Sequence, residues 1–302
     1  NDDVVIPFPN TAHFSPTLPA SATIKSLRIN SGAILNGGAG TTLTLAGDSG
    51  WRNSGIFNPG TSTIIFSGIG ATIGGTTNFY NVTVTTGAIL TALAGNIMRI
   101  AGAITNNGEL DAKTNPNNTI EYNGGNQALI NPNGGIGGYC HLTLSGSGSK
   151  TLPAIPLDLC GNFIISGTSS FTAYATITIA GDLITEAGAS FDAGSFNHYL
   201  SGNFSNNGTF TAATSNFIFN GTSMQYINTS NGTSTTFYNL NMDKSGNKVV
   251  LSVNTSVSNI LSLSNGASDL NGYTLTINNG LTSAIVRTNG YIISENTSNS
   301  SK

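Results

Sequence analysis

The sequence predicts an all-β protein, a parallel β-solenoid (β-helix) whose coils of roughly 20 residues are joined by irregular loops. One supporting observation is an internal repeat: the segment 106–112 (NNGELDA) recurs as 206–212 (NNGTFTA). In both copies an aliphatic run and a strand pattern with an aromatic residue follow in the same order, and a weaker copy spans residues 54–84. Self-similarity of this kind is typical of repeat architectures.

Short runs with apolar, polar, apolar order are the second observation. This period of two is typical of half-buried strands, and no helical heptad pattern competes with it. Turn-forming pairs such as Asn-Gly, Gly-Gly and Ser-Gly separate the runs. The runs lie at residues 43–45, 82–84, 142–144, 177–179, 261–263 and 275–277.

The third observation sets the length of a coil. A Gly-Asn or Gly-Asp pair followed by an apolar residue begins at Gly161, Gly181 and Gly202. This nearly constant interval accommodates three short strands and three turns, and stacked coils would pair each strand with its equivalent about 4.8 Å away. The whole chain would then form about 15 coils. An antiparallel β-sandwich array is the alternative, because regular turn signals suit that fold too.

Composition restricts the classes of function. Charged residues make up 8% of the chain, the net charge is −3 and the pI is about 5.5, so no basic stripe is available to bind nucleic acid. The sequence contains no uninterrupted apolar stretch of about 18 residues, which is the length that would predict a membrane-spanning segment. We expect a single β-solenoid domain over residues 1–290, including an N-terminal strand segment 1–10, and a polar C-terminal tail over residues 291–302.

The first residues, Asn1 to Pro7, lack an initiator Met and the apolar core of a signal peptide. We therefore expect an exported protein, extracellular or at the cell surface, whose signal peptide has been removed. We expect no enzyme activity, no metal and no cofactor, because the three histidines are dispersed and the acids are scattered. A β-helix polysaccharide lyase or hydrolase is the second alternative function, for which coil stacking would have to gather Asp158, Asp182 and Asp192.

Those acids also have a structural interpretation. Asp follows Gly at residues 47–48 and 181–182, and Asn takes the same place at 95–96, 161–162 and 202–203. The exchange predicts a hydrogen bond from the side chain to the backbone of a turn, in which charge is unimportant. Aromatic residues recur at 79–80, 139, 199 and 237–238 and predict an aromatic ladder, with sugar stacking as the alternative.

Two cysteines, Cys140 and Cys160, are separated by one coil length. A disulfide in an oxidising compartment and two buried thiols are both consistent with this spacing. Sequons for N-glycosylation are frequent in so Asn-rich a chain. The glycosylation candidates are Asn81, Asn117, Asn203, Asn207, Asn220, Asn228, Asn231 and Asn254.

The repeats resemble those of a known group of proteins. The order GNFSNNGTF (202–210), IFNGT (218–222), QYI (225–227) and FYNLNM (237–242) resembles the repeats of large secreted surface proteins of Bacteroidota, including gliding-type adhesins. The opening DVVIP (3–7) resembles the first strand of such regions. The resemblance covers residues 40 to 280 and implies a solenoid and a surface habitat more than an activity. It also implies type IX export with a C-terminal sorting domain, which the polar end of this sequence does not resemble.

We therefore expect an extracellular structural protein, a subunit of a surface fibre, filament or sheath. Terminal coils of a solenoid expose strand edges, and neither end of this sequence carries a charged cap. End-to-end stacking or strand addition would make a non-closing polymer. The alternative is a cell-surface adhesin segment that binds glycans or proteins. The expected assembly residues are Val4, Val5, Ile6, Tyr291, Ile292 and Ile293.

Overall fold

The computed structural model describes residues 2–8, 15–132 and 138–294. It confirms the all-β parallel solenoid: 56% of the residues are in strands, 1% are helical, and there are about 13 turns. The chain divides into two compact units, Asn1–Pro153 and Ala154–Lys302. Each unit is a stack of coils with parallel pairing between equivalent strands, so the antiparallel sandwich alternative was wrong.

The first unit contains sixteen strands in its described residues. They are β1 Asp3–Ile6, β2 Ser21–Ile29, β3 Ile34–Asn36, β4 Thr42–Asn53, β5 Ile56–Asn58, β6 Thr63–Phe66, β7 Ala71–Phe79, β8 Asn81–Val84, β9 Ile89–Ala92, β10 Ile97–Ile100, β11 Ile104–Asn106, β12 Glu109–Asp111, β13 Thr119–Tyr122, β14 Gln127–Ala128, β15 His141–Leu144 and β16 Ser147–Thr151. One ladder runs through β2, β4, β6, β8 and β11, and another through β7, β10, β13 and β15.

The second unit contains sixteen further strands and a short 3₁₀ turn, Thr282–Ala284, in its described residues. The strands are β17 Leu157–Leu159, β18 Phe163–Ile165, β19 Thr168–Thr172, β20 Ile177–Ile179, β21 Leu183–Thr185, β22 Ser190–Asp192, β23 Asn197–Leu200, β24 Phe204–Asn206, β25 Thr209–Thr211, β26 Asn216–Phe219, β27 Gln225–Asn228, β28 Thr235–Leu251, β29 Thr255–Asp269, β30 Leu275–Ile277, β31 Ile285–Arg287 and β32 Tyr291–Ile293. Ladders through β17, β20, β23 and β26 and through β18, β21, β24 and β27 continue into the long strands β28 and β29.

Coil length varies more than the spacing of the Gly-Asn pairs predicts. Thr63 pairs with Asn81 across a short coil, whereas Leu261 pairs with Ile285 across a clearly longer one. The alternating pattern keeps apolar residues inside regardless of coil length, because a strand that slipped by one residue would turn its apolar side chains to solvent. The extra residues therefore collect at the corners between strands.

The core of the first unit is built around the single Trp. Trp51 is fully buried and packs edge-on against Phe57 and Phe79, with ring centroids 4.9 and 5.1 Å away. Its Nε1 donates a hydrogen bond to Thr77 Oγ1 over 3.0 Å, so the one polar atom of the indole has a partner. Nearby, Gly75 has a φ of 90°, and a Cβ there would lie 1.9 Å from the carbonyl oxygen of Asn53, so the close approach of the coils requires glycine.

Phenylalanines fill the core of the second unit. Phe191 stacks on Phe171 with ring centroids 5.7 Å apart, and Phe204, Phe217 and Phe237 pack edge-on at 5.0 to 5.6 Å. Of the residues in the predicted aromatic ladder, those at 79, 139 and 237 are buried in the interior. Residues 80, 199 and 238 are half-buried.

Two boundaries differ from expectation. We expected one domain over residues 1–290, whereas the chain divides into two compact units after Pro153. We expected the polar tail to begin at residue 291, but Tyr291–Ile293 forms β32 and pairs in register with Ala267–Asp269. The tail begins later than expected because the apolar run Tyr291–Ile293 is long enough to add a strand to the ladder of β29. Residues 9–14, which include the end of the expected N-terminal segment, and residues 295–302 of the expected tail lie outside the described residues.

Candidate functional site

An exposed strand edge borders the first unit. Strand β1 runs parallel to β2, with Val4 opposite Leu27. Among the described residues, β2 is the strand with which β1 pairs. Val4 and Ile6 are half-buried, whereas Val5 points outward and is 51% exposed. Phe8, just beyond the strand, is 65% exposed. The edge thus presents backbone groups together with apolar side chains.

The charged groups near β1 are held by neighbouring residues. Asp3 accepts a hydrogen bond from Ser26 Oγ over 2.5 Å and lies 3.8 Å from the Lys25 ammonium. Arg52 donates to the carbonyl oxygens of Trp51 and Thr72, and burial together with the nearby charge of Arg28 lowers its pKa. A shallow cavity of about 320 Å³ lies beside the strand and is lined by residues 3–5, 26–28, 49 and 52.

A second exposed edge borders the other unit. Strands β30, β31 and β32 each pair with β29, and among the described residues they form the outermost coil. The exposed fractions are 50% for Ile285, 47% for Val286, 53% for Tyr291 and 41% for Ile292. The Arg287 Nε donates to the carbonyl oxygen of Gly290 within the same coil, over 2.7 Å. This edge is also apolar.

These edges contain the six expected assembly residues. Val5, Tyr291 and Ile292 are exposed, and Val4, Ile6 and Ile293 are half-buried against the adjacent coil. Natural sheet edges are commonly protected by inward charges, Lys or Pro. Here Pro7 follows β1, and the apolar strand β32 contains no charged residue. The two edges are the candidate functional site of the chain.

The structure confirms the turn role predicted for the Gly-Asn and Gly-Asp pairs. Asn162 Oδ1 accepts a hydrogen bond from the Asp182 N–H over 2.9 Å, and Asp182 Oδ1 accepts one from the Asn203 N–H over 2.6 Å. Asn203 Oδ1 then accepts the Tyr226 N–H over 2.9 Å. Amide and carboxylate make the same bond to the next coil, which explains why they exchange in the sequence.

The three carboxylates considered for a lyase or hydrolase each have their own structural surroundings. Asp182 supports the turn of the next coil, and Asp192 Oδ1 accepts the Gly194 N–H of its own turn over 2.9 Å. Asp158 lies on β17, opposite Thr178. In the described ranges no group of three His, Cys, Asp or Glu side chains is arranged to hold a metal ion. That the chain is not an enzyme stays a prediction.

Sequence reasoning missed a buried lysine in the second unit. Lys244 is fully buried, and its ammonium group donates to the carbonyl oxygens of Gly221 and Ser223 and to Gln225 Oε1. All three donors of the ammonium are therefore bound by neutral oxygens. We call this arrangement the second Lys–Gln cluster.

The first unit repeats the arrangement. Lys150 is 1% exposed, and its ammonium group donates to the carbonyl oxygens of Gly124 and Gly125 over 2.8 and 2.9 Å and to Gln127 Oε1 over 2.6 Å. This is the first Lys–Gln cluster. The chain contains two glutamines, and both have this role. The clusters join three successive coils through polar groups inside each unit.

The two clusters predict an unusual dependence of stability on pH. Burial lowers the pKa of Lys150 and of Lys244 from the ordinary 10.5 to about 8. Between these values the unfolded chain binds more protons than the folded chain, so the free energy of unfolding rises with pH. Burial raises the pKa of Tyr122 to about 12 and also raises that of Tyr139, so stability falls again once unfolded tyrosines ionise above about pH 10.

We therefore expect the urea midpoint to increase from pH 8 to pH 10 and to decrease above it. The control is the double variant Lys150→Met with Lys244→Met, in which the increase should disappear although the protein is less stable throughout. An equal slope in the two proteins would show that the buried lysines do not cause the effect.

Of the three histidines, His198 is buried and structural: its Nδ1 accepts the Ile177 N–H over 3.3 Å, and its Nε2 lies 2.7 Å from the carbonyl oxygen of Ala193. Burial lowers its pKa, and that of the partly buried His141. His13 lies outside the described residues.

Cys140 is buried in the first unit and Cys160 belongs to the second, and their disulfide stays a prediction. The glycosylation candidates also stay predictions. Asn117, Asn231 and Asn254 are exposed. The remaining candidates are half-buried, at positions 81, 203, 207, 220 and 228.

Within residues 2–8, 15–132 and 138–294, the structure contains no helix with the length and apolar character needed to cross a bilayer.

Comparisons with other proteins leave the family open. No family model matches the chain, and curated proteins and solved structures give no significant match. The geometry of the chain itself therefore carries the functional argument.

Proposed function

We propose that this chain is a secreted structural protein that assembles end to end, the apolar coil edge of β30–β32 in one copy adding to the edge of β1 in the next. The observation that carries the proposal is the exposure of apolar strand edges at both places, with Val5 at 51% and Tyr291 at 53%. Exposed strand edges with apolar side chains are templates for strand addition.

The pairing inside the chain provides the geometry of the joint. Strand β1 already adds to β2 in parallel, and β31 and β32 add to β29 in parallel. A strand from a second copy would continue the same ladders at the same spacing, about 4.8 Å from β1. Because different surfaces meet, the contact is heterologous and each addition leaves a new edge, which produces a fibre.

The composition supports a structural function. Inward-facing apolar side chains and outward ladders of Asn, Ser and Thr build the coils with few charged residues. Such ladders are visible where Asn58 Nδ2 donates to Asn36 Oδ1 over 2.9 Å and Asn259 Nδ2 donates to Asn239 Oδ1 over 2.8 Å. A scaffold of this kind is stabilised by repetition and requires no ligand.

Charge placed on either edge should prevent assembly. We expect Val5→Lys and Ile292→Lys each to raise the concentration at which polymers form by about tenfold or more, because an ammonium would be buried at the joint. Light scattering and negative-stain electron microscopy across a concentration series measure the effect. Deletion of residues 1–9 should abolish the polymers and leave the circular dichroism spectrum unchanged.

Matched controls are available away from the edges. Ile69 is 74% exposed and Ile155 is 43% exposed, and neither belongs to β1 or to β30–β32. Ile69→Lys and Ile155→Lys should polymerise like the wild type. Isolated particles of the wild-type protein at every concentration, or polymers that tolerate lysine at residue 5 and at residue 292, would contradict the proposal.

A further inference from the structure

A polar cleft of about 820 Å³ opens on the second unit. It arises from a difference in length between two neighbouring strands. Asp243 pairs with Asn265 and Lys248 pairs with Ala267, so β28 advances by five residues where β29 advances by two. The additional residues of β28 project from the ladder and form one wall. The volume lies within the ~300–1,000 Å³ typical of ligand sites.

The lining of the cleft is a set of hydrogen-bonding groups with one aromatic ring. Its lining includes Asn220, Asp243, Ser245, Asn247, Asn265 and Tyr291. Asn265 Nδ2 donates to Asp243 Oδ1 over 2.6 Å, and Asn289 Nδ2 donates to Asn265 Oδ1 over 3.3 Å. These bonds fix the orientation of a row of polar side chains on successive coils before any ligand arrives.

The cations at the cleft are already engaged. Lys244 directs its ammonium into the second Lys–Gln cluster, beneath the cleft. Lys248 lies 2.6 Å from the buried carboxylate of Asp269, which balances its charge. An anionic ligand such as a phosphate or a uronate would therefore meet the carboxylate of Asp243 at a place where both lysines already have other partners. A ligand that is neutral and rich in hydroxyl groups fits this arrangement.

Tyr291 adds a flat apolar surface. Tyr291 and Ile293 of strand β32 line the cleft, and Tyr291 is 53% exposed. An amphipathic ring of this kind can cover the apolar face of a pyranose while amides and a carboxylate bind its hydroxyl groups. The combination differs from the apolar lining that a hydrophobic ligand or an amphipathic helix would need.

We propose that this cleft binds a neutral carbohydrate, with Tyr291 packed against one sugar ring and Asp243, Asn247 and Asn265 hydrogen-bonded to its hydroxyl groups. The site goes beyond the proposed assembly but shares Tyr291 with its β32 edge, so it is tested on copies that do not polymerise. Binding is measured on the Val5→Lys variant, so a failure to polymerise and a failure to bind sugar are separate results.

The probes are neutral hexasaccharides of α-1,4-glucose, β-1,4-glucose, β-1,3-glucose, β-1,4-mannose and β-1,4-xylose, with oligogalacturonate as the anionic comparison. Isothermal titration calorimetry and chemical-shift perturbation report binding. We expect at least one neutral hexasaccharide to bind and oligogalacturonate to fail. Tyr291→Ala and Asn265→Ala should each weaken the affinity by about tenfold, which corresponds to about 1.4 kcal/mol.

Two further variants separate binding from folding. Tyr291→Phe retains the ring and should retain the affinity within about threefold. Tyr273 is 41% exposed in the same unit and does not line the cleft, so Tyr273→Ala should bind like the parent. The proposal is overturned if no neutral hexasaccharide binds at about 10 mM, if oligogalacturonate binds better than every neutral one, or if both alanine substitutions in the cleft leave affinity unchanged.

Discussion

Replacing Gln225 by Leu should lower the free energy of unfolding by about 3–5 kcal/mol. Gln225 is fully buried, and its amide has all its hydrogen-bonding capacity filled. Nε2 donates to the carbonyl oxygens of Leu200 and Gly202, and Oε1 accepts from the Gly221 N–H and from Lys244 Nζ. Leucine has a similar volume and none of these atoms. The Lys244 ammonium, the Gly221 N–H and the two carbonyl groups would each lose one hydrogen-bond partner.

Chemical denaturation followed by circular dichroism measures this loss. The adjacent Met224 is 41% exposed, so Met224→Leu should change stability by less than about 0.5 kcal/mol. The double variant Gln225→Leu with Lys244→Met removes the buried charge as well, and should be more stable than Gln225→Leu alone. A double variant whose loss equals the sum of the two single losses would show that the lysine and the glutamine do not interact.

Trp51→Ala should cost about 3–5 kcal/mol, the range found when a large aromatic side chain is removed from a packed core. Trp51 has no exposed surface and contacts two other rings, so neighbouring side chains cannot fill the space without moving strands β4 and β7. Circular dichroism is the suitable probe, because the substitution removes the one tryptophan that fluorescence would report.

Two comparisons make the result specific to packing. Trp51→Phe preserves most of the volume but removes the donor to Thr77 Oγ1, and should cost about 1–2 kcal/mol. Tyr174 is 49% exposed, and Tyr174→Ala should be close to neutral. A loss below about 1 kcal/mol for Trp51→Ala would mean that the coils around residue 51 collapse into the space, and that the core there is not closely packed.

The fold was predictable because its information is local. Runs such as Leu43-Thr44-Leu45 define which side chains face inward, and a parallel stack needs little else to choose its register. Turn chemistry was predictable for the same reason: Asn162 and Asp182 are recognisable from the glycine that precedes each of them. The sequence predicts about 15 coils, whereas the structure has about 13 turns. The difference arises because the corners between strands contain additional residues that no periodic pattern indicates.

The buried polar clusters were not predictable, although the sequence contained a partial signal. Gln127 and Gln225 occupy equivalent places after the two copies of the repeat, but the bonds that explain them join different coils. The partner of Gln127 follows after 23 residues, at Lys150, whereas the partner of Gln225 follows after 19, at Lys244. A contact whose separation depends on corner length cannot be read from a fixed spacing. A buried lysine among neutral oxygens is also contrary to the usual location of that residue.

The cleft was missed for a related reason. Asp243 and Asn265 belong to ordinary strand patterns, and the opening between them depends on β28 having more residues than β29 at one corner. Tyr291 had been assigned to a tail that began at residue 291, whereas its strand is in register with Ala267. Sequence alone placed these residues in separate elements.

Coil length varies, but the strand ladders stay intact. The ladders are therefore the part of this protein that must stay constant, and the corners are the part that can change. Gly232 lies in the loop between β27 and β28 and Gly246 in the additional segment of β28, and at both positions a new Cβ would meet no atom within 4 Å. A loop inserted there would alter the surface without altering the ladders that hold the coils together. The solenoid can therefore diversify its corners independently of its core, which allows one scaffold to present many different surfaces to its environment.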